Sequence, residues 1–96
     1  MDGPSVTHEP DGHRGAFVIR NGDRRLAAMT YSMAGDTVMM IDHTEVDGSL
    51  RGTGAGKKLV EAAVGWARAE GKQIIPVCPF ARSVFDKTPE FGDVLK

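Results

Sequence analysis

The residues best suited to chemistry in this chain are a glycine turn with cations, Arg51-Gly52-Thr53-Gly54-Ala55-Gly56-Lys57-Lys58, and a lone cysteine, Cys78. No acidic residue lies between Gly48 and Val60. Glycine lets a backbone approach a ligand closely and adopt positive φ. If a helix starts at this turn, the N–H groups of its first turn have no internal partners and converge on one point. Lys57 and Lys58 would then oppose the helix macrodipole by ~0.3–1 kcal/mol each, and a bound polyanion would reverse that sign. The same run also suits a flexible strand-to-helix loop with solvated lysines. Two other phosphate motifs fail on spacing. A P-loop ending in Gly56-Lys57 would need glycine at Arg51 and Ser or Thr at Lys58. A dinucleotide fingerprint starting at Gly52 ends on Lys57, and one starting at Gly54 ends on Leu59.

Cys78 stands just before Pro79, which suits the first position of a helix. A thiol at a helix N-terminus has its thiolate favoured, so it could act as a nucleophile or pass a proton. A small, inert core residue is the plainer reading. In an extended segment His43 and Glu45 share one face, with Asp42, Thr44 and Val46 on the other. His43 could take a proton from an incoming ammonium or assist Cys78, or it could be structural. Glu45 could serve as a base, although an exposed carboxylate is the simpler account. No metal site is expected, because His8 and His13 have no close ligand partners in sequence.

These residues have to be positioned by a small number of elements. Ala16 to Arg20 reads as a strand, and Asn21-Gly22 as a type I′ hairpin turn. Arg24 to Met33 returns as a second strand, and Ala34-Gly35-Asp36 turns into a third over Thr37 to Val46. A helix is predicted from about Gly54 to Glu70, with Ala55, Leu59, Ala63, Trp66 and Ala67 on its buried stripe. Gly65 in its middle suggests a close neighbour, and Gly71 closes it. Gln73 to Val77 reads as a buried strand, Pro79 to Lys87 as a short helix, and Glu90 to Lys96 as an edge segment or tail. A right-handed crossover would set the third and fourth strands parallel. The fold class is α/β with a mixed sheet, an antiparallel meander passing into a parallel pair, a central helix and a short C-terminal helix.

Ninety-six residues make one compact domain. Residues 1–14 are expected to be a flexible polar tail and 15–96 the domain. A formal charge of -1 argues against a general nucleic-acid binder. A single cysteine leaves no intramolecular disulfide, which suits a reducing compartment. With no apolar leader and no run near the ~20 residues of a membrane span, the cytoplasm is the expected location. Nothing in the sequence forces an oligomer.

At the glycine turn the chain resembles the GNAT superfamily of N-acetyltransferases, whose signature R/Q-x-x-G-x-G/A is met by Arg51, Gly54 and Gly56. It is similar to a subgroup of very small members through His43-Thr44-Glu45-Val46, Leu50-Arg51-Gly52, Pro76-Val77-Cys78-Pro79-Phe80 and Pro89-Glu90-Phe91. The resemblance spans about Gly15 to Leu95. It implies that the strand before the turn and the strand after the central helix splay around acetyl-coenzyme A. The pantetheine arm would pair with the backbone of Thr44, Glu45 and Val46. The amides of Arg51, Gly52, Thr53, Gly54, Ala55 and Gly56 would take the pyrophosphate, supported by Lys57 and Lys58, with Phe80 beside the cofactor. The subgroup shares His43 and Cys78.

The chain departs from larger members, which carry a helical pair after the first strand and extra C-terminal strands. The acceptor site is therefore expected to be open, so that a peptide, a protein or another large amine fits as well as a small-molecule metabolite. Phe85 occupies the position where many members have a proton-donating tyrosine. Three readings follow: transfer of acetyl to an unidentified amine, a non-catalytic CoA or acyl-CoA module or sensor, and a small interaction protein binding another polyanion. Phe85 favours the second over the first, Cys78 favours the first, and the motif order disfavours the third.

Overall fold

A computed structural model describes residues 6–96 of the chain. Five strands form one sheet in sequential order: β1 Val6–Asp11, β2 Arg14–Asn21, β3 Arg24–Ala34, β4 Val38–Val46 and β5 Gln73–Pro76. The first four are antiparallel, and β4 and β5 are parallel. A short 3₁₀ turn at Gly48–Leu50 leads into helix α1, Ala55–Glu70, which makes the crossover to β5. Helix α2, Pro79–Lys87, follows, and a 3₁₀ helix at Pro89–Val94 ends the fold.

Alternation along the strands builds the core. Phe17, Ile19, Met29, Tyr31, Met39 and Ile41 face α1 and pack against its buried Leu59, Val60, Ala63 and Val64. Ala81, Val84 and Phe85 of α2 join the same core, so both helices cover one face of the sheet.

The structure corrects three expectations. Residues 6–11 form β1 where a loose tail was expected; residues 1–5 lie outside the described part. Asp11-Gly12 is itself a hairpin signal, and Gly12 takes φ +64 where β1 turns into β2. The strand is held by His8, which stacks on Phe17 at 4.3 Å and 6°, meets Trp66 edge-on at 5.5 Å, and hydrogen-bonds Tyr31 through Nε2. Burial pushes the His8 pKa below its ordinary value of 6.5.

The hairpin after β2 closes through Gly22-Asp23, since Asn21 pairs with Arg24. Only Gly22 has positive φ, the pattern of a type II′ turn and not of type I′. Gly65 is exposed, and a Cβ there would meet nothing within 4 Å, so no close packing explains it. Of the two readings of the C-terminal residues, edge segment or tail, the edge segment agrees with the structure at Leu95 and Lys96, which lie along β5. Phe91 and Val94 are buried, Leu95 bridges to Ile74, and Arg68 holds the segment through a two-point contact with Asp93 at 2.7 and 2.8 Å.

Candidate functional site

The parallel pairing of β4 with β5 stops early. It runs from Val38 opposite Gln73 to Ile41 opposite Pro76, after which both Val77 N–H and Cys78 N–H donate to Ile41 O at 3.0 Å. Beyond that fork β4 continues with β3 as far as Val46, while Pro79 starts α2 and carries the other chain away. The edge of β4 from Asp42 to Val46 is thereby released from β5. Cys78 sits at the apex of the fork.

A bulge decides which side chains face this opening. Thr30 pairs with His43 and Tyr31 with Ile41, leaving Asp42 as the extra residue on β4. From there on the alternation is reset. Thr44 pairs with the buried Met29 and lies on the helix side, where its Oγ1 is 3.4 Å from Cys78 Sγ. His43 and Glu45 lie on the open face, both largely exposed, with Nε2 and Oε2 3.4 Å apart. Asp42 is on that open face too, hydrogen-bonded to Ser32, and not on the face of Thr44 as strict alternation predicts. The bulge therefore separates His43 from Cys78. The polar neighbours of the buried thiol are Thr44 Oγ1 and the Ala81 N–H, which Cys78 caps at 3.4 Å.

The glycine turn is built by Asp47, whose carboxylate accepts from Ser49 N–H at 2.9 Å and from the Ser49 hydroxyl; these bonds hold its pKa below the ordinary carboxylate value. Gly52 and Gly54 adopt φ +80 and +79, a region costly for any residue with a Cβ. Not every amide of the turn faces outward. Arg51 N–H donates to Gly48 O and Thr53 N–H to Leu50 O, both at 3.1 Å. Those two are removed from the expected anion-binding set. The first bond of α1 is Lys58 N–H to Gly54 O at 3.0 Å. Among the described residues, the amides of Gly52, Gly54, Ala55, Gly56 and Lys57 have no partner, and Gly54 offers no side-chain cap. No acidic residue lies in the first turn, and Arg51, Lys57 and Lys58 are exposed without an ion pair among the described residues.

These amides border a groove of about 330 Å³ between the turn and α2, reached by Val46 at the end of β4. Its α2 wall is made by Phe80, Ser83, Val84 and Lys87. Gly56 is glycine for packing: a Cβ there would stand 2.7 Å from Phe80 Cε2 and nearer still to Cζ. The Phe80 ring thus lies on the helix N-terminus and remains 40% exposed as groove wall. Ser83 and Lys87 escaped the sequence reading. Their signal was the i, i+3, i+4, i+7 spacing from Phe80, visible only once the outward face of α2 is known. Phe85 points the other way, buried at a 71° edge contact with Phe91. It neither faces the groove nor carries a proton.

A splayed parallel pair, a central helix beginning on free amides and a groove between them define an acyltransferase-like α+β domain. The family model described as GCN5-related N-acetyl-transferase matches residues 16–94, and the chain belongs to that family. A GCN5-like protein of Staphylococcus aureus, solved by NMR, is 32% identical with TM-score 0.73, covering 100% of this chain and 91% of that one. The bovine (Bos taurus) protein NATD1 is 28% identical over 88 residues, covering 91% of this chain and 78% of the relative. A ribosomal-protein-alanine N-acetyltransferase of Brucella melitensis shares the fold at 18% identity and TM-score 0.60, covering 80% of this chain and 64% of its own. Among the described residues, no helix is long and apolar enough to cross a membrane.

Proposed function

We propose that this protein binds acetyl-coenzyme A in the groove and transfers its acetyl group to an amine, with Cys78 as the group nearest the reaction. The observation that carries this reading is the coincidence of two openings: unpartnered amides at the start of α1, and Cys78 at the fork of β4 and β5. The amides of Gly52 and Gly54 to Lys57 would hold the diphosphate, with Arg51, Lys57 and Lys58 supplying charge. The released edge of Thr44, Glu45 and Val46 would hold the arm by its backbone, and Phe80 would cover it.

The chemistry assigned to Cys78 is thiol exchange. Its Sγ attacks the thioester carbonyl, a new C–S bond forms as the bond to the coenzyme's sulfur breaks, and the cysteine proton ends on the departing thiolate. Thr44 Oγ1, beside Sγ, can relay that proton. In the second half an amine attacks the acetyl-cysteine, the C–S bond breaks, and one amine proton returns to Sγ. His43, with Glu45 behind it, lies on the opposite face of β4 from Cys78, so its part is limited to taking a proton from an acceptor ammonium that arrives on the open side before it passes the strand edge to the thiol.

A second reading is a CoA-binding module without turnover. It is favoured by Phe85, which is buried where a proton donor would be expected.

Intact-mass measurement after incubation with acetyl-coenzyme A tests the proposal. The expected result is one added acetyl group, absent in Cys78→Ala, and discharged when an amine is supplied. Coenzyme binding with neither adduct nor transfer would favour the second reading. No binding at all would refute both.

A further inference from the structure

Lys87 lines the groove but has no part in the reading above. The stripe Phe80, Ser83, Val84 and Lys87 runs along α2, so the groove has a direction. At 1.5 Å per residue, Lys87 lies ~10 Å from Phe80 along the helix. Phe80 is two residues beyond Cys78, at the end where the strands part. Lys87 therefore stands at the end of the wall farthest from the thiol. Opposite α2 are Arg51 and Lys57, and none of the three cations has an ion pair among the described residues.

Coenzyme A presents its groups in a fixed order from the reacting sulfur: an uncharged arm, a diphosphate, then a ribose with a 3′-phosphate. The free amides, with Arg51 and Lys57, can serve the diphosphate. A further cation at the outer end of the opposite wall is left for the phosphomonoester. We infer that Lys87 is a specificity-determining residue that binds the 3′-phosphate, so that the protein selects coenzyme A over its dephospho form. The inference depends on the groove holding coenzyme A, as proposed above. A cation in the last turn of α2 also favours the helix dipole, but that role cannot distinguish two ligands.

Calorimetric titration of the whole protein with coenzyme A and with dephospho-coenzyme A, in wild type, Lys87→Gln and Lys87→Arg, tests this. Wild type should bind coenzyme A about fivefold more tightly than the dephospho form, the size of one charge-assisted contact at a partly exposed site. Lys87→Gln should erase that preference by weakening coenzyme A alone, and Lys87→Arg should keep it. Equal weakening of both ligands in Lys87→Gln, or no change in either, overturns the role of Lys87 and leaves the proposed function standing. Failure of wild type to bind either ligand overturns the groove assignment itself.

Discussion

Lys57→Glu should move the stability of the free protein and its affinity for coenzyme A in opposite directions. Lys57 is the third residue of α1, exposed and without an ion pair among the described residues, at a helix start with no acidic residue and no side-chain cap. Removing a cation there and adding an anion each improve the fit to the helix dipole, together worth ~0.6–2 kcal/mol. The new carboxylate could also reach back to the Gly54 N–H, as in a capping box. For a domain of this size each kcal/mol raises Tm by ~4–8 °C.

Ligand binding changes with the opposite sign, because the same carboxylate competes for the amides and repels phosphate. A charge ~6 Å from a phosphate contributes ~0.7 kcal/mol at the dielectric of water and ~3 kcal/mol at an effective dielectric near 20. Taking ~1 kcal/mol for the lost attraction and as much for the new repulsion gives ~2 kcal/mol, or ~30-fold in Kd at low salt. At 1 M salt, where the Debye length is ~3 Å, that loss should shrink to a few-fold. Thermal unfolding without ligand and calorimetric titration at two salt concentrations read both effects. A variant that loses stability, or binds coenzyme A normally at low salt, would show that the helix start is not a vacant anion site.

Two further perturbations test other parts of the structure. Gly56→Ala puts a methyl group where the rim of the 40%-exposed Phe80 ring lies, so the ring must swing out of the groove wall. The helix-propensity gain of up to ~1 kcal/mol offsets the lost contact in stability, while coenzyme A affinity should fall several-fold, and an unchanged Kd contradicts the role of the ring as groove wall. His8 has a pKa lowered by burial, so the unfolded chain binds more protons than the folded one. Stability should therefore be full above about pH 6.5 and fall as the pH drops through the lowered folded value, a component that His8→Phe should remove; parallel urea midpoints from pH 7.5 to 5 in the two proteins would refute it.

Much of the fold was legible because its signals are local. The span Pro79–Lys87 was readable from a proline at its first turn and Thr88-Pro89 at its end, and α1 from its apolar stripe between Gly54 and Gly71. The edge strand β1 was missed although Asp11-Gly12 announced a turn, because a polar segment holding one partly buried histidine offers little periodicity to read. Its order comes from Phe17, Tyr31 and Trp66, which lie far along the chain.

The sequence by itself determined the types of group at the site: a left-handed glycine turn, cations without acids around it, and a thiol before a helix-starting proline. These follow from backbone sterics and helix-end electrostatics, which act within a few residues. Tertiary structure alone decided which of those groups meet. One extra residue at Asp42 resets the faces of β4, so Thr44 rather than His43 reaches Cys78. The direction of α2 places Lys87 on the groove, and the Phe80 ring gives Gly56 its reason. Each depends on register and approach between segments distant in sequence, which local patterns do not encode.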